Sequence, residues 1–262
     1  MTILPSGWHC LVEAAPLPGA EQMARDAGLR TLAAAHAAPM LRLYGWSPAC
    51  ISFGAHEAAQ RRFSPEAIAA LGFDAVRRPT GGRAVLHRDD LTYAVALPPD
   101  ADIGLEGLLA GVHQIFAAAL ARLGVASQAA PRRRAPAPDG GGICFDAPVG
   151  GELLLDGAKL LGSAQHQGAT GVLQHGSLLL ADGQHDLRLV LREELSMPAD
   201  APIATVGTAL GRPIRFDEMA ACLTAAWTDA TGDLRPLHAD AVHDAAGPHR
   251  AHFADPAWTW RR

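Results

Sequence analysis

"FDAVRRPTGGRAVLHRDDLTYAVALPP" (73–99) alternates short β-prone runs with turn residues, and this pattern predicts strand, turn, strand, turn, strand. Gly81 and Gly82 occupy the first turn, where glycine allows a ligand to approach backbone N–H groups closely. A Gly-Gly turn by itself is more typical of a plain hairpin. Because His87 follows and arginines flank the turn, we interpret it as a candidate site for an anion or an acyl carbonyl. The flanking arginines are Arg77, Arg78 and Arg83.

The rest of the chain mixes helical and strand patterns without a regular βαβ alternation. Two β-prone runs within 40–56 are separated by "SPA", which predicts a hairpin. Ser64 before Pro65 predicts the start of a helix, and Gly72 predicts its end. We therefore predict an α+β fold with a mixed, largely antiparallel sheet flanked by helices. Helices are predicted in 18–38, 64–72, 103–124 and 215–232, and further strands in 151–157, 158–167 and 171–181.

The composition indicates one globular domain in a reducing, cytoplasmic setting. The 262 residues are 49% hydrophobic and 19% charged, which is enough to bury a large core. The net charge of −5 disfavours nucleic-acid binding, and no apolar run approaches the length of a membrane span. The first ten residues do not resemble a secretion signal, and the four cysteines form no CxxC pair that would indicate zinc or disulfides. We expect a single domain over 1–262, with a core at about 18–232 and a tail at 233–262.

"DGAKLLGSAQ" (156–165) contains the only lysine of the chain, Lys159, against 21 arginines. At a solvated position the two cations exchange freely, so a lone lysine indicates a need for a compact ammonium rather than a planar guanidinium. Chance survival is the alternative.

"GGGICFDAP" (140–148) places Cys144 directly after a Gly-rich loop. A thiolate is a strong nucleophile, and a nearby cation such as Lys159 would lower the pKa of this thiol. The alternative is a small buried apolar residue, and that interpretation suits the remaining cysteines, Cys10, Cys50 and Cys222.

Four blocks together resemble the lipoate/biotin protein ligase superfamily, and within it the cysteine-dependent octanoyltransferases. They are "LRLYGWSPACISFGAHE" (41–57), "RRPTGGRAVLHRDDLTYAVALP" (77–98), "CFDAPVGGELLLDGAKLLGSAQ" (144–165) and "GVLQHGSLLL" (171–180). They cover most of 18–182. The sequence departs from this pattern at "HQGATG" (166–171), where a more basic stretch is expected, and at "VGG" (149–151), where relatives often carry an aromatic residue.

The resemblance implies a catalytic domain like that of the biotin and lipoate protein ligases, and a reaction that needs neither a cofactor nor a metal. It implies that octanoyl moves from octanoyl-acyl carrier protein to a lysine of a lipoyl domain, such as the glycine cleavage H protein or a 2-oxoacid dehydrogenase E2. It implies that Cys144 is the nucleophile and Lys159 the essential lysine. The implied substrate-binding residues are Arg78, Thr80, Gly81, Gly82, His87, Gly162, Ser163, Ala164, Gln174, His175 and Gly176.

Several alternatives remain open at this point. An ATP-dependent lipoate–protein ligase shares these blocks, an amidotransferase would take octanoyl from another lipoyl domain, and a non-catalytic module would only bind the acyl group or its carrier. His87 or His175 is a candidate base for the incoming lysine, although a structural histidine is the more common case. The arginines at 132–134 either dock an acidic carrier or are a solvated loop, and we interpret the histidines of 237–253 as a polar tail.

Overall fold

The structure is a computed structural model that describes residues 4–130, 152–192 and 203–261. Its strands are β1 (His9–Val12), β2 (Met40–Tyr44), β3 (Cys50–Phe53), β4 (Asp74–Arg77), β5 (Val85–His87), β6 (Asp90–Leu97), β7 (Gln128–Ala129), β8 (Leu153–Leu155), β9 (Ala158–Gly168), β10 (Gly171–Leu179) and β11 (Arg235–Pro236). Its helices are α1 (Gly19–His36), α2 (Ala59–Arg62), α3 (Pro65–Ala70), α4 (Leu105–Arg122), α5 (Val206–Leu210), α6 (Phe216–Thr231), α7 (Ala239–Ala246), α8 (Arg250–Ala254) and α9 (Pro256–Thr259), with 3₁₀ turns at Gln184–Leu189 and Gly247–His249.

The strands form two sheets of unequal size. The larger sheet has the order β11-β1-β2-β6-β10-β9-β8-β7, and the smaller one has the order β4-β3-β5. Among the strand pairs of the larger sheet within the described residues, those of β1 with β2 and with β11 are parallel and the others are antiparallel. The α+β prediction with a mixed, largely antiparallel sheet is therefore confirmed.

Helices cover both faces of the larger sheet. Apolar residues of α4 and α6 pack on one face, where Phe116 and Trp227 are completely buried. Helix α1 covers the other face, and its Met23 packs in a second core. The predicted helices in 18–38, 64–72, 103–124 and 215–232 correspond to α1, α3, α4 and α6. The side chain of Ser64 caps α3 by accepting a hydrogen bond from the Ala67 amide at 3.1 Å.

The hairpin predicted within 40–56 is wrong. Strand β2 pairs with β1 and β6 in the larger sheet, whereas β3 pairs with β4 and β5 in the smaller one. Every residue of both strands is buried, so each strand needs a partner on both sides. The segment that joins them carries the chain from one sheet to the other.

The turn that contains Gly81 and Gly82 is not a hairpin turn either. Strands β4 and β5 pair with opposite edges of β3, so the turn crosses the end of that strand. It passes so closely that a Cβ on Gly54 would lie 1.9 Å from the Gly82 carbonyl oxygen. The backbone of the turn is therefore packed against the smaller sheet.

The end of the chain is folded onto α1 and β4, which corrects the interpretation of 237–253 as a polar tail. Val242 and Ala246 of α7 are buried in the core beside α1. Arg77 donates to the carbonyl oxygens of Trp258 at 3.1 Å and Arg261 at 2.7 Å. Of the histidines in this segment, His238, His243 and His252 are exposed and His249 is half-buried. Within the described ranges, no helix is long and apolar enough to cross a membrane.

Candidate active site

Arg78 holds the Gly81–Gly82 turn in shape. Its Nη1 donates to the carbonyl oxygen of Ser52 at 2.7 Å, and its Nη2 donates to the carbonyl oxygens of Arg83 at 2.6 Å and Gly81 at 3.0 Å. Gly82 has φ +92°, a conformation that a side chain would strain. The arginine predicted to bind substrate thus has several donors committed to the backbone around the turn.

Thr80 connects the turn to the larger sheet through His175. The Thr80 hydroxyl lies 2.5 Å from Nε2 of His175. On the other side of the ring, Nδ1 lies 2.9 Å from Oδ2 of Asp26 on α1. A carboxylate accepts hydrogen bonds, so Nδ1 carries the proton and Nε2 accepts from Thr80. Burial lowers the pKa of His175 below its ordinary value of 6.5, which favours the neutral ring.

Asp26 is fixed by further buried donors. Its Oδ1 accepts from Arg42 Nη1 at 2.8 Å, and its Oδ2 accepts from the Tyr44 hydroxyl at 2.8 Å. Asp26 and Arg42 are completely buried. A continuous set of hydrogen bonds therefore runs from Arg42 through Asp26 and His175 to Thr80, and it sets the position of the turn relative to the sheet.

His87 lies in a second buried network. Its Nδ1 is 2.8 Å from Oδ2 of Asp90, and its Nε2 is 2.8 Å from Oγ of Ser52. The ring stacks on Trp46 with the ring centroids 4.1 Å apart. Ser52 Oγ also accepts from Arg78 Nη1 at 3.0 Å, so His87 supports the same arginine that holds the turn.

Both ring nitrogens of His87 and of His175 are therefore engaged by side chains of the protein. Neither ring can take a proton from an incoming amine unless one of these hydrogen bonds breaks. The geometry favours the interpretation of both as structural histidines that position the turn.

Lys159 is buried on β9 and paired with a carboxylate. Only 2% of the residue is exposed, and its Nζ lies 2.6 Å from Oε1 of Glu152, which is 4% exposed. A buried ion pair of this kind limits where the ammonium can point. Such a cation can stabilise negative charge that develops on a carbonyl oxygen.

A β-bulge determines the face of the sheet on which Lys159 lies. Leu154 pairs with Lys159 but Leu153 pairs with Leu161, so β9 has one residue more than β8 in this interval. Consistent with this, the successive residues Leu160 and Leu161 both lie in the core beneath α4. Because the alternation of faces is interrupted between them, Lys159 lies on the opposite face, the one covered by α1.

The same face carries the residues that meet the Gly-rich turn. Ala164 pairs directly with His175, and Gly162 pairs with Ser177. Directly paired residues point to the same side of a sheet, and His175 contacts α1 through Asp26. Lys159, Gly162, Ala164 and His175 therefore share one face with Thr80 above it.

Ser163, Gln174 and Gly176 lie on the other face, beneath α4. Ser163 Oγ contacts the Tyr93 hydroxyl at 2.6 Å, and Gln174 Nε2 donates to the same hydroxyl at 2.8 Å. A Cβ on Gly176 would lie 2.6 Å from Cε1 of Tyr93. The structure does not bring the side chains of Ser163 and Gln174, or the open face of Gly176, to the side of the turn, because strand residues alternate between faces. Their predicted role in substrate binding stays a prediction.

The sequence analysis did not select Asp26, Arg42 or Glu152. A signal for Asp26 exists in α1, where polar residues at 22, 26 and 30 recur every four positions in an otherwise Ala-rich helix. Nothing comparable marks Glu152, whose importance depends on the pairing of β8 with β9.

Cys144 and the arginines at 132–134 lie outside the described residues, so their predicted roles stay predictions. Glu152, the partner of Lys159, is the first described residue after that segment. Among the described residues, no three His, Cys, Asp or Glu side chains are grouped as metal ligands would be.

Comparison with known proteins shows the family to which the chain belongs. Residues 18–228 match the model of the lipoyl protein ligase A/B catalytic domain. The chain belongs to this family. It is 33% identical over 242 residues to the octanoyltransferase LipM of Kyrpidia tusciae, covering 86% of this chain and 88% of that protein. It is also 33% identical over 247 residues to LipM of Symbiobacterium thermophilum, covering 87% and 88%.

The lipoyl ligase fold is seen in solved structures as well. A putative lipoate protein ligase from T. acidophilum with bound lipoic acid superposes with a TM-score of 0.76 over 98% of this chain and 100% of that chain, at 18% identity. The family model and the LipM relatives confirm the predicted membership of the lipoate ligase superfamily. The chain is similar to the LipM octanoyltransferases over most of their length, and this similarity identifies it as an acyltransferase.

Proposed function

We propose that the chain transfers an octanoyl group from octanoyl-acyl carrier protein to a lysine of a lipoyl domain, as the first step of lipoate biosynthesis. The LipM relatives support octanoyl transfer. The observation that carries the proposal is Lys159, the only lysine of the chain, which is buried and lies on the sheet face beneath the Thr80 turn. A cation in that place serves a reaction at an acyl carbonyl.

In the first half-reaction the thiolate of Cys144 attacks the carbonyl carbon of the octanoyl thioester. A new carbon–sulfur bond forms, the bond to the carrier's sulfur breaks, and the carrier leaves as a thiol after taking up a proton. Lys159 stabilises the oxygen that carries negative charge in the tetrahedral intermediate. One such donor contributes about 2.7–4 kcal/mol to the transition state.

In the second half-reaction the ε-amine of the lipoyl-domain lysine attacks the same carbonyl. The amide bond forms, the bond to the Cys144 sulfur breaks, and Cys144 leaves as a thiolate. The amine loses one proton in this step, and this balances the proton that the carrier's thiol took up in the first half-reaction. A thioester is converted to an amide, which is downhill and needs no ATP. Because the ring nitrogens of His87 and His175 are already hydrogen-bonded, we assign neither as the base.

Intact mass spectrometry tests this proposal. The chain is incubated with octanoyl-acyl carrier protein in the absence of ATP. We expect one octanoyl adduct that hydroxylamine removes, that Cys144→Ala does not form, and that a lipoyl domain discharges. An acceptor that is modified only when free octanoate and ATP are supplied would instead identify a ligase. Loading only from an octanoylated lipoyl domain would identify an amidotransferase, and no loading from any donor would favour a binding module.

A further inference from the structure

Arg77 joins the last residues of the chain to the segment that follows β3. The residue is completely buried, and its Nε donates to the carbonyl oxygens of Trp258 and Thr259, each at 3.1 Å. Its Nη1 donates to the carbonyl oxygens of Gly54 at 2.7 Å and Glu57 at 2.9 Å. Because a guanidinium is a rigid plane of donors, it fixes the two segments relative to each other.

Two side chains of the C-terminal residues reinforce this connection. The indole Nε1 of Trp258 donates to the carbonyl oxygen of Arg77 at 2.9 Å. Nη2 of Arg261 donates to the carbonyl oxygen of Ala55 at 2.8 Å, and its guanidinium carbon lies 3.8 Å from the centroid of the Trp258 ring. The ring thus holds the Arg261 side chain where it reaches Ala55. The connection therefore depends on these two side chains as well as on backbone groups.

The segment after β3 in turn supports the Gly81–Gly82 turn. The Ala55 amide donates to the carbonyl oxygen of Thr80 at 2.8 Å. A Cβ on Gly54 would lie 1.9 Å from the Gly82 carbonyl oxygen, which shows that the two backbones are in contact. Because buried groups pack closely, a shift of Gly54 or Ala55 moves the turn with it.

We propose that Trp258 and Arg261 are positioning residues of the acyl-transfer site. They hold the segment after β3, and through it they hold the Gly81–Gly82 turn where the acyl donor binds. This role rests on the proposed function, in which the acyl group lies between this turn and Lys159. Arg78 sets the shape of the turn by donating to its carbonyl oxygens, whereas Trp258 and Arg261 set its place on the smaller sheet.

A positioning role and a purely structural role have different kinetic consequences. Glycine has no side chain to anchor the turn, so the place of the turn is set by its neighbours. When fewer molecules hold the turn in the binding position, the donor concentration needed for half-saturation rises in proportion. A variant that is merely less stable loses folded molecules, which lowers the maximal rate and leaves that concentration unchanged.

Amide hydrogen exchange tests the connection without any need for catalysis. Trp258→Phe removes the indole donor but keeps an aromatic ring, and Arg261→Met removes the guanidinium but keeps much of the length of the side chain. Both positions are half-buried, so the variants should fold, and the two single variants are measured beside the double one. In the double variant we expect the amides of 54–57 and 78–83 to exchange about tenfold faster than in the wild type, while those of β6 keep their wild-type rates.

Val242→Ala is the matched control for a loss of stability. Val242 of α7 is completely buried in the core beside α1, so the substitution destabilises the fold. It leaves in place every hydrogen bond that joins the C-terminal residues to the turn. The exchange rates of 54–57 and of β6 should therefore keep their wild-type ratio in this variant.

Single-turnover acylation at increasing concentrations of octanoyl-acyl carrier protein tests the consequence for the reaction. In the double variant we expect the half-saturating concentration to rise about three- to tenfold and the maximal rate to stay within about twofold of the wild type. Arg261→Lys retains a cation over the Trp258 ring, and it should stay within about twofold of the wild type in both quantities. Val242→Ala should keep the wild-type half-saturating concentration.

Different outcomes contradict different claims. Exchange that rises equally in 54–57 and in β6, or in neither, overturns the connection between the C-terminal residues and the turn. A selective rise in exchange with an unchanged half-saturating concentration overturns the positioning role, and so does an equal rise of that concentration in Val242→Ala. Failure of the wild-type chain to become acylated contradicts the proposed function, and hydrogen exchange still decides whether the C-terminal residues hold the turn.

Discussion

Replacing Lys159 by methionine separates the proposed catalytic role of the ammonium from its structural role. Methionine has a similar length and flexibility but no charge, so Lys159→Met removes the cation while filling most of its space. Glu152 is then left buried without the ammonium that lies 2.6 Å from its carboxylate. The substitution should therefore lower both the rate of acylation and the stability of the fold.

The two effects have different expected sizes. Loss of one donor to the oxyanion costs about 2.7–4 kcal/mol, which is a decrease of roughly 10² to 10³ in the acylation rate. Removal of one member of a buried ion pair lowers the free energy of unfolding by about 3–5 kcal/mol. The double variant Lys159→Met with Glu152→Gln removes both charges, so it should recover much of the stability and none of the rate.

Single-turnover acylation by octanoyl-acyl carrier protein, followed by intact mass, measures the rate, and urea unfolding measures the stability. Each variant is assayed at a temperature where unfolding curves show it to be folded. Lys159→Arg keeps the charge but places a larger planar group at a position that is 2% exposed, and we expect it to be slow as well. A folded Lys159→Met or Lys159→Arg enzyme that acylates at the wild-type rate would refute the assigned role.

Three further predictions address the scaffold of the site. Gly82→Ala should lower the free energy of unfolding in urea by about 1–3 kcal/mol, because φ is +92° and the new Cβ would lie 2.9 Å from a guanidinium nitrogen. A Cβ at Gly81 meets no atom within 4 Å, so Gly81→Ala should change the free energy of unfolding by less than about 0.5 kcal/mol. Equal losses of stability in Gly81→Ala and Gly82→Ala would count against this explanation. Asp26→Ala should lower the free energy of unfolding by about 3–5 kcal/mol in the same assay, because it leaves buried donors unpaired. A decrease below about 1 kcal/mol would show that the hydrogen bonds to Asp26 do not hold the site together. Arg250 lowers the pKa of Glu21 from 4.5 to about 2, so this pair stabilises the fold above pH 4.5 and loses its effect as the pH falls toward 2. The difference in melting temperature between the wild type and Glu21→Gln should shrink over that interval, and a constant difference would exclude the pair as its cause.

Local signals in the sequence were sufficient for the helices α1, α3, α4 and α6 and for most strands, but not for the helices of the C-terminal segment. Ser64 and Pro65 specify the start of α3 through the side-chain cap and the fixed φ of proline, and both act within one turn. The pairing of β2 and β3 could not be obtained in this way. Whether adjacent strands form a hairpin or enter different sheets depends on partners that lie far away in the chain, such as β6 and β4.

The residue types of the candidate site can be selected from the sequence, but the geometry in which Lys159 and the Gly81–Gly82 turn lie cannot. Lys159 is recognisable because it is the only lysine, and the Gly81–Gly82 turn is recognisable as a motif. Counting alternate residues back from Ser163 would place Lys159 beneath α4, which is the wrong face. The bulge at Leu160–Leu161 reverses this assignment, and it exists only because β8 pairs with β9 in a particular register.

The contacts of the buried arginines suggest why the cation that we propose for the oxyanion is a lysine. Arg77 donates to carbonyl oxygens of the segment after β3 and of the C-terminal residues, and Arg78 donates to those around the Gly-rich turn. A guanidinium has five donors in a fixed plane, so it is stable in a buried place only where several rigid acceptors surround it, and there it acts as a clamp. A group that stabilises a charge present only in the transition state must instead be free to change its orientation. The ammonium of Lys159 is a compact charge whose donors rotate about one bond, so it can hold Glu152 and reorient toward a developing oxyanion without moving the strand. On this reasoning Lys159→Arg should fail in catalysis even where it folds, because the fork that makes arginine a good clamp prevents that reorientation.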